Sequence, residues 1–318
     1  MKTVLAATTV ISLIAGAALA AEPWPNRPLK VISTFSPGGQ ADTLARIVNE
    51  KAQSILGQHV IMDYRPGAGG NIAGDLVAKA TDDHTLLFGT PALAINPTLY
   101  KSMSYDPLKD LVPITLAASG PYVIYVSGKL PVSNIADLIK LAKDKPGALN
   151  YASVGVGSGT HLAAVLFAEA AKIDVQHVPY KGMAQILPDL VQNQVQFTFN
   201  AIGPAAQFMA TGEVKLIATS YDKRIPQYPE IPAIAETVKG FSALGWYGYQ
   251  APASLPRDAQ EKLNKALTEV IRSPEVSERI LKLGLIPDAQ TLPEALAFLK
   301  SETAKWGRAV KTSGASVD

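Results

Sequence analysis

The stretch YASVGVGSGTHLAAVLFAEAA, residues 151–171, joins a short strand-like run to a long apolar segment through a glycine-rich turn. The turn GVGSG (155–159) precedes a predicted helix, and a second strand-like run, VQHVPYKG (175–182), follows that helix. Glycine lets the chain turn tightly and approach another group closely. The stretch therefore predicts a strand, turn, helix and strand in sequence, the repeating unit of an α/β fold.

A second copy of this pattern lies near the N-terminus. LKVISTF (29–35) leads through SPGGQ (36–40) into ADTLARIVNEKAQSILG (41–57), and HVIMDYRPG (59–67) follows. Strands that alternate with helices predict mainly parallel sheets flanked by helices. A chain of 318 residues that is 47% apolar can form two such units, each with its own core.

Two further segments resemble each other, PYVIYVSGKLPVSNIADLIKLAK (121–143) and WYGYQAPASLPRDAQEKLNKALTEV (246–270). Each predicts an aromatic strand, a loop with a Leu-Pro pair and an amphipathic helix. The pair suits a chain that crosses into a second lobe and later returns, as hinged two-lobe proteins do. We expect lobe I to contain residues 22–122 and 230–318 and lobe II to contain residues 123–229, with a cleft between them.

The N-terminal segment TVLAATTVISLIAGAALA (3–20) is uncharged and ends in Ala18-Leu19-Ala20, the spacing of a signal-peptidase site. A membrane anchor is the alternative, but the Thr, Ser and Gly content favours a cleaved signal peptide (1–21) and a periplasmic location. The absence of cysteine excludes disulfides, thiolate catalysis and a lipid-anchored N-terminal Cys. A formal charge of +2 gives no support to nucleic-acid binding.

Neither glycine turn matches a known catalytic or nucleotide-binding motif. Thr160 stands where a dinucleotide fingerprint needs its third glycine, and neither turn ends in Gly-Lys-Ser/Thr. A nucleophile elbow around Ser158 would need glycine at positions 156 and 160, where Val156 and Thr160 stand. A periplasmic hydrolase that uses Ser158 with His161 or His177 remains an alternative function, but no catalytic motif with the required spacing is present. The four histidines show no metal-binding spacing, so we expect no metal and no cofactor.

Anion binding by the backbone remains. A helix N-terminus offers unpaired N–H groups, and hydroxyls can add donors. Ser153, Ser158 and Thr160 could form one wall of a site, and the turn from Ser36 to Gln40 the other. The alternative is that the glycines only make tight turns. Two equivalent turns, one in each lobe, favour a shared site.

Five segments together carry a resemblance to a known family: WPNRPLKVISTFSPGGQADTLAR (24–46), RPGAGGNIAGDLVAKA (65–80), LNYASVGVGSGTHLAA (149–164), HVPYKG (177–182) and NKALTEVIRSPEVSERILKLG (264–284). The sequence resembles the periplasmic solute-binding proteins of tripartite tricarboxylate transporters, the Bug family. The combination of RPGAGGN and HVPYKG is the specific part of this resemblance.

The resemblance implies a periplasmic-binding-protein (Venus flytrap) fold that holds a small organic carboxylate between its lobes. It implies a receptor and not an enzyme, a monomer, and permease subunits of a membrane transporter as partners. A sensor that docks on a signalling protein is the alternative. The implied ligand-binding residues are Ser36, Pro37, Gly38, Gly39 and Thr90 in lobe I, Ser153, Gly157, Ser158, Gly159, Thr160, His161, Lys181 and Asn200 in lobe II, and Trp246 against the distal part of the ligand.

Asn200, Lys181 and the aromatic side chains near the cleft bear on which ligand the site binds. Asn200 stands where the family often has aspartate, and an amide pairs with an ammonium group less strongly than a carboxylate does. We therefore expect a dicarboxylate or an aromatic carboxylate in preference to an amino acid. Lys181 can instead be a solvated surface residue. Aromatic side chains can line the cleft or belong to the core: Phe35, Tyr122, Trp246 and Tyr247.

Overall fold

Strands form where the short β-branched and aromatic runs predict them. The computed structural model describes residues 24–202, 205–225 and 228–317, so the predicted signal peptide (1–21) lies outside the described residues. Within that described part the chain forms eleven strands: β1 (Leu29–Ser33), β2 (Val60–Tyr64), β3 (Thr85–Gly89), β4 (Leu111–Pro121), β5 (Val123–Ser127), β6 (Asn150–Ser153), β7 (Gln176–Pro179), β8 (Phe197–Asn200), β9 (Val214–Thr219), β10 (Leu244–Pro252) and β11 (Ile286–Pro287).

Helices connect most of these strands. The same described ranges contain eleven α-helices: α1 (Gln40–Leu56), α2 (Asn71–Ala78), α3 (Ala92–Leu99), α4 (Ile135–Asp144), α5 (Gly159–Ala171), α6 (Met183–Gln192), α7 (Ala206–Ala210), α8 (Ile234–Thr237), α9 (Arg257–Arg272), α10 (Pro274–Lys282) and α11 (Leu292–Ser313). None of the helices in this described part is long and apolar enough to cross a membrane.

The strands form two sheets, which confirms the predicted two-lobe α/β fold. The first sheet has the order β11-β4-β10-β3-β1-β2 and the second the order β7-β6-β8-β5-β9. Both sheets are mixed rather than mainly parallel as predicted, because the strands that follow each chain crossing run against their neighbours. In the first, β1 pairs in parallel with β2 and β3, whereas β10 is antiparallel to β3 and β4. In the second, β6 pairs in parallel with β7 and β8, whereas β5 is antiparallel to β8 and β9.

Two of the antiparallel strands, β5 and β10, are the ones by which the chain enters the second lobe and returns to the first. β5 starts directly after β4, and β10 starts after the chain has left β9. Both therefore begin at the edge where the parallel strands end, and they run in the opposite direction. The strands of the first sheet lie within 29–121 and 244–287, and those of the second within 123–219. The lobe boundaries 22–122 with 230–318 and 123–229 stay our proposal.

The C-terminal helix α11 is held in place by a buried carboxylate. Glu302 accepts hydrogen bonds from the indole N–H groups of Trp306 (Nε1–Oε2 2.7 Å) and of Trp246 on β10 (3.1 Å). It also pairs with Lys305, and both indole rings are fully buried. Paired oxygens offset the cost of removing a carboxylate from water. α11 packs against α3 and β4 of the first lobe and against α5 of the second, so it contacts both lobes.

The two chain crossings lie side by side and are joined through one serine. Leu244 pairs with Pro121 in the first sheet, so β10 starts beside the end of β4. The hydroxyl of Ser220 accepts a hydrogen bond from the N–H of Tyr122 (2.9 Å) and donates one to the carbonyl of Ala243. The backbone of Ser220 bonds to the same two residues. Ser220 is fully buried, so water does not compete for these bonds.

We predict that Ser220→Ala lowers the free energy of unfolding by about 1 to 3 kcal/mol, because it leaves a buried N–H and a buried carbonyl without a partner. Urea denaturation followed by circular dichroism measures this change. Ser301→Ala is the control, because Ser301 is exposed and bonds only to the Phe298 carbonyl of its own helix. We expect the control to change stability by less than about 0.5 kcal/mol. Equal stabilities of the two variants would contradict the role of Ser220.

Candidate ligand-binding cleft

A cavity of about 500 Å³ lies between the two lobes, at the edge where the chain crosses. Small-molecule sites usually have volumes of roughly 300 to 1,000 Å³. Residues that follow the strands of both sheets line it: Thr34, Phe35, Gly69, Gly70 and Thr90 after strands of the first, and Val156, Gly157, Ser158, Gly159 and Ile202 after strands of the second. The crossing strands contribute Tyr122, Trp246 and Tyr247. The predicted interlobe cleft is therefore present.

The first-lobe wall includes Thr34, directly after β1, and the hydroxyl of this residue is buried. Thr34 is 8% exposed and lines the cavity. Its Oγ1 has no hydrogen-bond partner among the described residues. A buried polar atom without a partner is costly, so such an atom at a cavity wall marks a place for a ligand atom or a water molecule. Sequence analysis did not single out Thr34.

A glycine-rich turn, Gly67–Gly70, adds backbone to the same wall. All four of its residues have positive φ: 131° at Gly67, 46° at Ala68, 59° at Gly69 and 93° at Gly70. A Cβ on Gly70 would lie 3.2 Å from Thr34 Cγ2, so the backbone packs directly against that side chain. The RPGAGGN motif is part of the family resemblance, but the sequence does not predict these glycines as site residues. Their signal was a run of glycines immediately before a helix.

Of the turn 36–40, predicted as the first-lobe wall, only Gln40 is among the described residues that line the cavity. Ser36, Pro37, Gly38 and Gly39 are exposed. The carboxylate of Asp42 accepts the Gly38 N–H (2.8 Å), and Arg46 and the Tyr64 hydroxyl donate to the same carboxylate. Burial alone would raise the pKa of Asp42, but these hydrogen bonds outweigh it and lower that pKa. Asp42 therefore forms hydrogen bonds with its own turn and with its own helix, α1.

The second-lobe wall is the turn between β6 and α5, as predicted. Gly157 has φ 74°, and a Cβ there would lie 2.6 Å from Leu99 Cδ2 on α3 of the other lobe. A Cβ on Gly159 would lie 2.1 Å from the Tyr122 hydroxyl. Burial raises the pKa of Tyr122, so this hydroxyl stays protonated. Only glycine allows these close approaches, which bring backbone to the cavity surface.

Hydroxyls near this turn stabilise the turn itself. Ser158 caps α5 by accepting the His161 N–H (3.2 Å) and donates to the Gly155 carbonyl (2.7 Å). The hydroxyl of Thr160 accepts the Val154 N–H (3.1 Å). Ser153 is fully buried, and its hydroxyl contacts His177. Of these three predicted hydroxyls, only that of Ser158 belongs to a residue that lines the cavity.

Two histidines stack behind the turn. The rings of His161 and His177 have centroids 3.9 Å apart and are tilted by 15°. His161 Nδ1 accepts the Gly157 N–H (3.1 Å), and His177 Nε2 lies 2.7 Å from Ser153 Oγ. Burial, with a smaller effect of His177, lowers the pKa of His161 to about 4. Neither imidazole is a hydrogen-bond partner of the Ser158 hydroxyl, which bonds to the Gly155 carbonyl and the His161 N–H instead, so no general base is paired with Ser158 here.

The remaining predicted residues fall into two groups. Thr90 and Trp246 line the cavity, although Trp246 is only 1% exposed and also belongs to the core. Lys181 is exposed, and Asn200 is buried with its side chain against Met183 and the Ala201 N–H. Neither Lys181 nor Asn200 lines the cavity, but Ala201 does. The aromatic residues named as candidates for the cleft all line it: Phe35, Tyr122, Trp246 and Tyr247.

The lining is uncharged. No Asp, Glu, Lys, Arg or His occurs among the described residues that line the cavity. Nor does any group of three or more His, Asp or Glu side chains within the described ranges have a metal-binding arrangement. The cavity offers backbone N–H and C=O groups, hydroxyls and apolar surface. Such a lining can bind an anion through preorganised donors, without an opposite charge.

A family model described as "Tripartite tricarboxylate transporter family receptor" matches residues 44–315. A protein of Pseudomonas sp. (strain P51), described as the UPF0065 protein in the tcbD-tcbE intergenic region, is 38% identical over 291 residues. This match covers 90% of this chain and 86% of that protein. Protein BugT of Bordetella pertussis is 30% identical over 323 residues, which cover 100% of this chain and 99% of BugT.

Two solved structures with bound carboxylates are similar to this chain. The R. palustris protein Rpa4515 with adipate has a TM-score of 0.75 and 31% identity, covering 92% of this chain and 99% of that one. MatC (Rpa3494) from Rhodopseudomonas palustris with bound malate has a TM-score of 0.69 and 28% identity, covering 90% and 100%. Both are similar over nearly their whole length.

We predict that Gly157→Ala pushes the lobes apart, because its Cβ would meet Leu99 at 2.6 Å and its φ of 74° disfavours any side chain. Small-angle X-ray scattering should show a larger radius of gyration than that of the unsubstituted protein. Gly182→Ala is the control, because Gly182 has φ 171° and a Cβ there would have no neighbour within 4 Å. An unchanged radius with unchanged stability would contradict the tight contact.

We also predict that acid destabilises the protein through His161. Its pKa is about 4 in the folded protein and about 6.5 when unfolded, so the unfolded chain binds the proton more readily between these values. The stabilising contribution is complete above about pH 6.5 and falls by roughly 3 kcal/mol towards pH 4. The burial-lowered pKa of His177 acts in the same direction.

The measurement is urea denaturation of the unsubstituted protein and of His161→Gln between about pH 7.5 and pH 4.5. Glutamine can still accept the Gly157 N–H but does not titrate. The variant should therefore lose less stability on acidification. Parallel losses in the two proteins would show that His161 is not the group responsible.

Proposed function

Because this chain belongs to the tripartite tricarboxylate transporter receptor family, which includes the Bug proteins, we propose that its interlobe cavity binds a small organic carboxylate. The protein is a solute-binding receptor of this periplasmic family, not an enzyme. The observation that carries the proposal is the buried, unpartnered hydroxyl of Thr34 at the wall of an uncharged, glycine-lined cavity. Thr34 lines the same cavity as the glycine turns and the polar side chains of Gln40, Thr90, Asn96, Ser158 and three tyrosines, Tyr100, Tyr122 and Tyr247.

Hydrogen bonds alone can supply the required affinity. Each bond to a charged group contributes roughly 1.5 to 3 kcal/mol. A micromolar complex needs about 8 kcal/mol, so four or five such bonds suffice. The turns Gly67–Gly70 and 156–159 and Thr34 contribute residues to the lining, and the donors must come from groups other than the N–H groups of Gly70, Gly157 and Ser158, which already bond within the protein. A carboxylate can therefore be bound without a salt bridge.

A dicarboxylate or an aromatic carboxylate fits this site better than an amino acid. No carboxylate occurs among the described residues that line the cavity, so none of them can pair with an ammonium group, and the nearby position 200 carries an uncharged asparagine, which itself does not line the cavity. The adipate bound to Rpa4515 and the malate bound to MatC, two similar proteins, support a carboxylate ligand. The predicted ligand-binding set remains our proposal. We give most weight to the predicted residues that line the cavity: Thr90, Gly157, Ser158, Gly159 and Trp246.

Capture and delivery follow from the two-lobe architecture. A ligand that contacts both walls stabilises the closed arrangement, and a shift from mostly open to mostly closed requires about 5.5 kcal/mol of differential affinity. We propose that the closed receptor presents its ligand to the permease subunits of a tripartite tricarboxylate-type transporter. The predicted signal peptide (1–21) supports a periplasmic location for this receptor.

We predict that carboxylates raise the melting temperature and bind with one-to-one stoichiometry in isothermal titration calorimetry. The panel contains benzoate, adipate, malate, aspartate and glutamate. Ligand binding to the folded state stabilises it by mass action, so saturable shifts identify the binding class. Tight binding of the acidic amino acids without binding of simple carboxylates would refute the ligand class. Binding of none of the panel would refute the carboxylate receptor.

Thr34→Val tests the proposed site in the same experiments. The variant keeps the shape of the side chain but removes the hydroxyl, so affinity should fall by about tenfold or more. Thr268→Val is the matched control, since Thr268 is also 8% exposed but lies on α9 and bonds to the Asn264 carbonyl. The control should keep its affinity. Unchanged affinity in Thr34→Val would place the ligand elsewhere.

A further inference from the structure

The lining of the cavity contains apolar side chains as well as polar groups. Aliphatic side chains line it from both lobes: Ile95 and Leu99 from α3, Val156 and Ile202 from the second lobe, and Leu285 before β11. Val156 is 51% exposed, which is unusual for a branched apolar residue at a cavity. Exposed apolar surface at a concave site gains stability when an apolar group covers it.

An aromatic side chain adds to this apolar lining. Phe35 follows Thr34, lines the cavity and is 40% exposed. Its ring meets that of Tyr247 edge to face, with centroids 6.4 Å apart. Tyr247 in turn stacks on Phe88, which is fully buried, with centroids 6.0 Å apart and an interplanar angle of 6°. The exposed surface of Phe35 is thus held in place by a chain of rings anchored in the core.

A second carboxylate would have no charged partner in this lining. Among the described residues that line the cavity none is cationic. The nearby cation Arg46 already pairs with Asp42 at 3.0 Å. An ionised group moved from water to an apolar wall without a partner is strongly disfavoured. One carboxylate takes the donors at Thr34 and the glycine turns. The rest of the lining is uncharged, with polar side chains such as Gln40 and Asn96 among apolar ones such as Phe35, Val156 and Leu285.

We infer that, given the proposed function, the receptor selects aromatic monocarboxylates over aliphatic dicarboxylates. The carboxylate binds at the polar wall beside Thr34 and the glycine turns. The aromatic ring of the ligand packs on Phe35 and against Val156 of the other lobe, because aromatic pairs gain from edge-to-face or offset contact beyond simple burial. Phe35 and Val156 are then specificity-determining residues.

The test compares benzoate and phenylacetate with adipate and malate by isothermal titration calorimetry. We expect the aromatic monocarboxylates to bind at least about tenfold more tightly than either dicarboxylate. Tighter binding of adipate or malate would overturn this inference and leave the carboxylate receptor standing. If none of the four binds, the receptor proposal itself fails and the inference falls with it.

Two substitutions test the assigned residues in opposite directions. Phe35→Ala should weaken benzoate binding about tenfold while changing acetate binding little, because acetate has no ring to pack. Val156→Lys should strengthen adipate binding by about tenfold, because it places a cation among the apolar side chains. Both residues are partly exposed, so the variants should fold.

Ile61→Lys is the matched control for charge. Ile61 is 54% exposed on β2, outside the cavity, so this variant adds the same charge without placing it near the ligand. Equal gains in adipate affinity in Val156→Lys and Ile61→Lys would show a general electrostatic effect and overturn the role of Val156. Equal losses of benzoate and acetate binding in Phe35→Ala would overturn ring packing on Phe35.

Discussion

Every wall of the cleft is positioned by one constraint: the chain passes between the lobes twice, side by side, at the same edge of both sheets. Leu244 pairs with Pro121 at this edge, and Ser220 bonds to Tyr122 and Ala243. Because the parallel strands of both sheets also end here, the turns that follow them converge. In α/β sheets, ligands bind beyond the carboxyl ends of the strands for this reason. The cavity is therefore a consequence of topology before any particular side chain is considered.

Close backbone approach then determines the chemistry of the cleft. Gly157 meets Leu99 of the other lobe, and Gly159 meets the Tyr122 hydroxyl, at distances that exclude a side chain. The wall is therefore built from main chain where a larger protein side chain could not fit. Main-chain N–H groups are fixed in direction and cost little conformational entropy when a ligand binds. A cavity with an uncharged lining can therefore still bind an anion.

Most polar side chains around the cleft satisfy the protein itself. Ser158 caps its helix, Asp42 accepts the Gly38 N–H, and Ser153 contacts His177. Thr34 differs, because its hydroxyl is buried at the wall and has no partner among the described residues. This distinction separates groups that hold the turns from a group available to a ligand. It also explains why residues of the right type at the right turn need not contact the ligand.

The sequence by itself determined the two α/β lobes, the crossing strands β5 and β10, the second-lobe turn at 155–159 and the family. These depend on periodicity, on glycine at tight turns and on motifs, all of which are local in sequence. Only the tertiary structure decided which residues of each turn face the cavity. Ser36–Gly39 do not line the cavity, and Asp42 accepts the Gly38 N–H, whereas Thr34, Phe35, Gly67, Gly69 and Gly70 line it. Residue type does not encode that direction, because it depends on how the turn packs against elements distant in sequence.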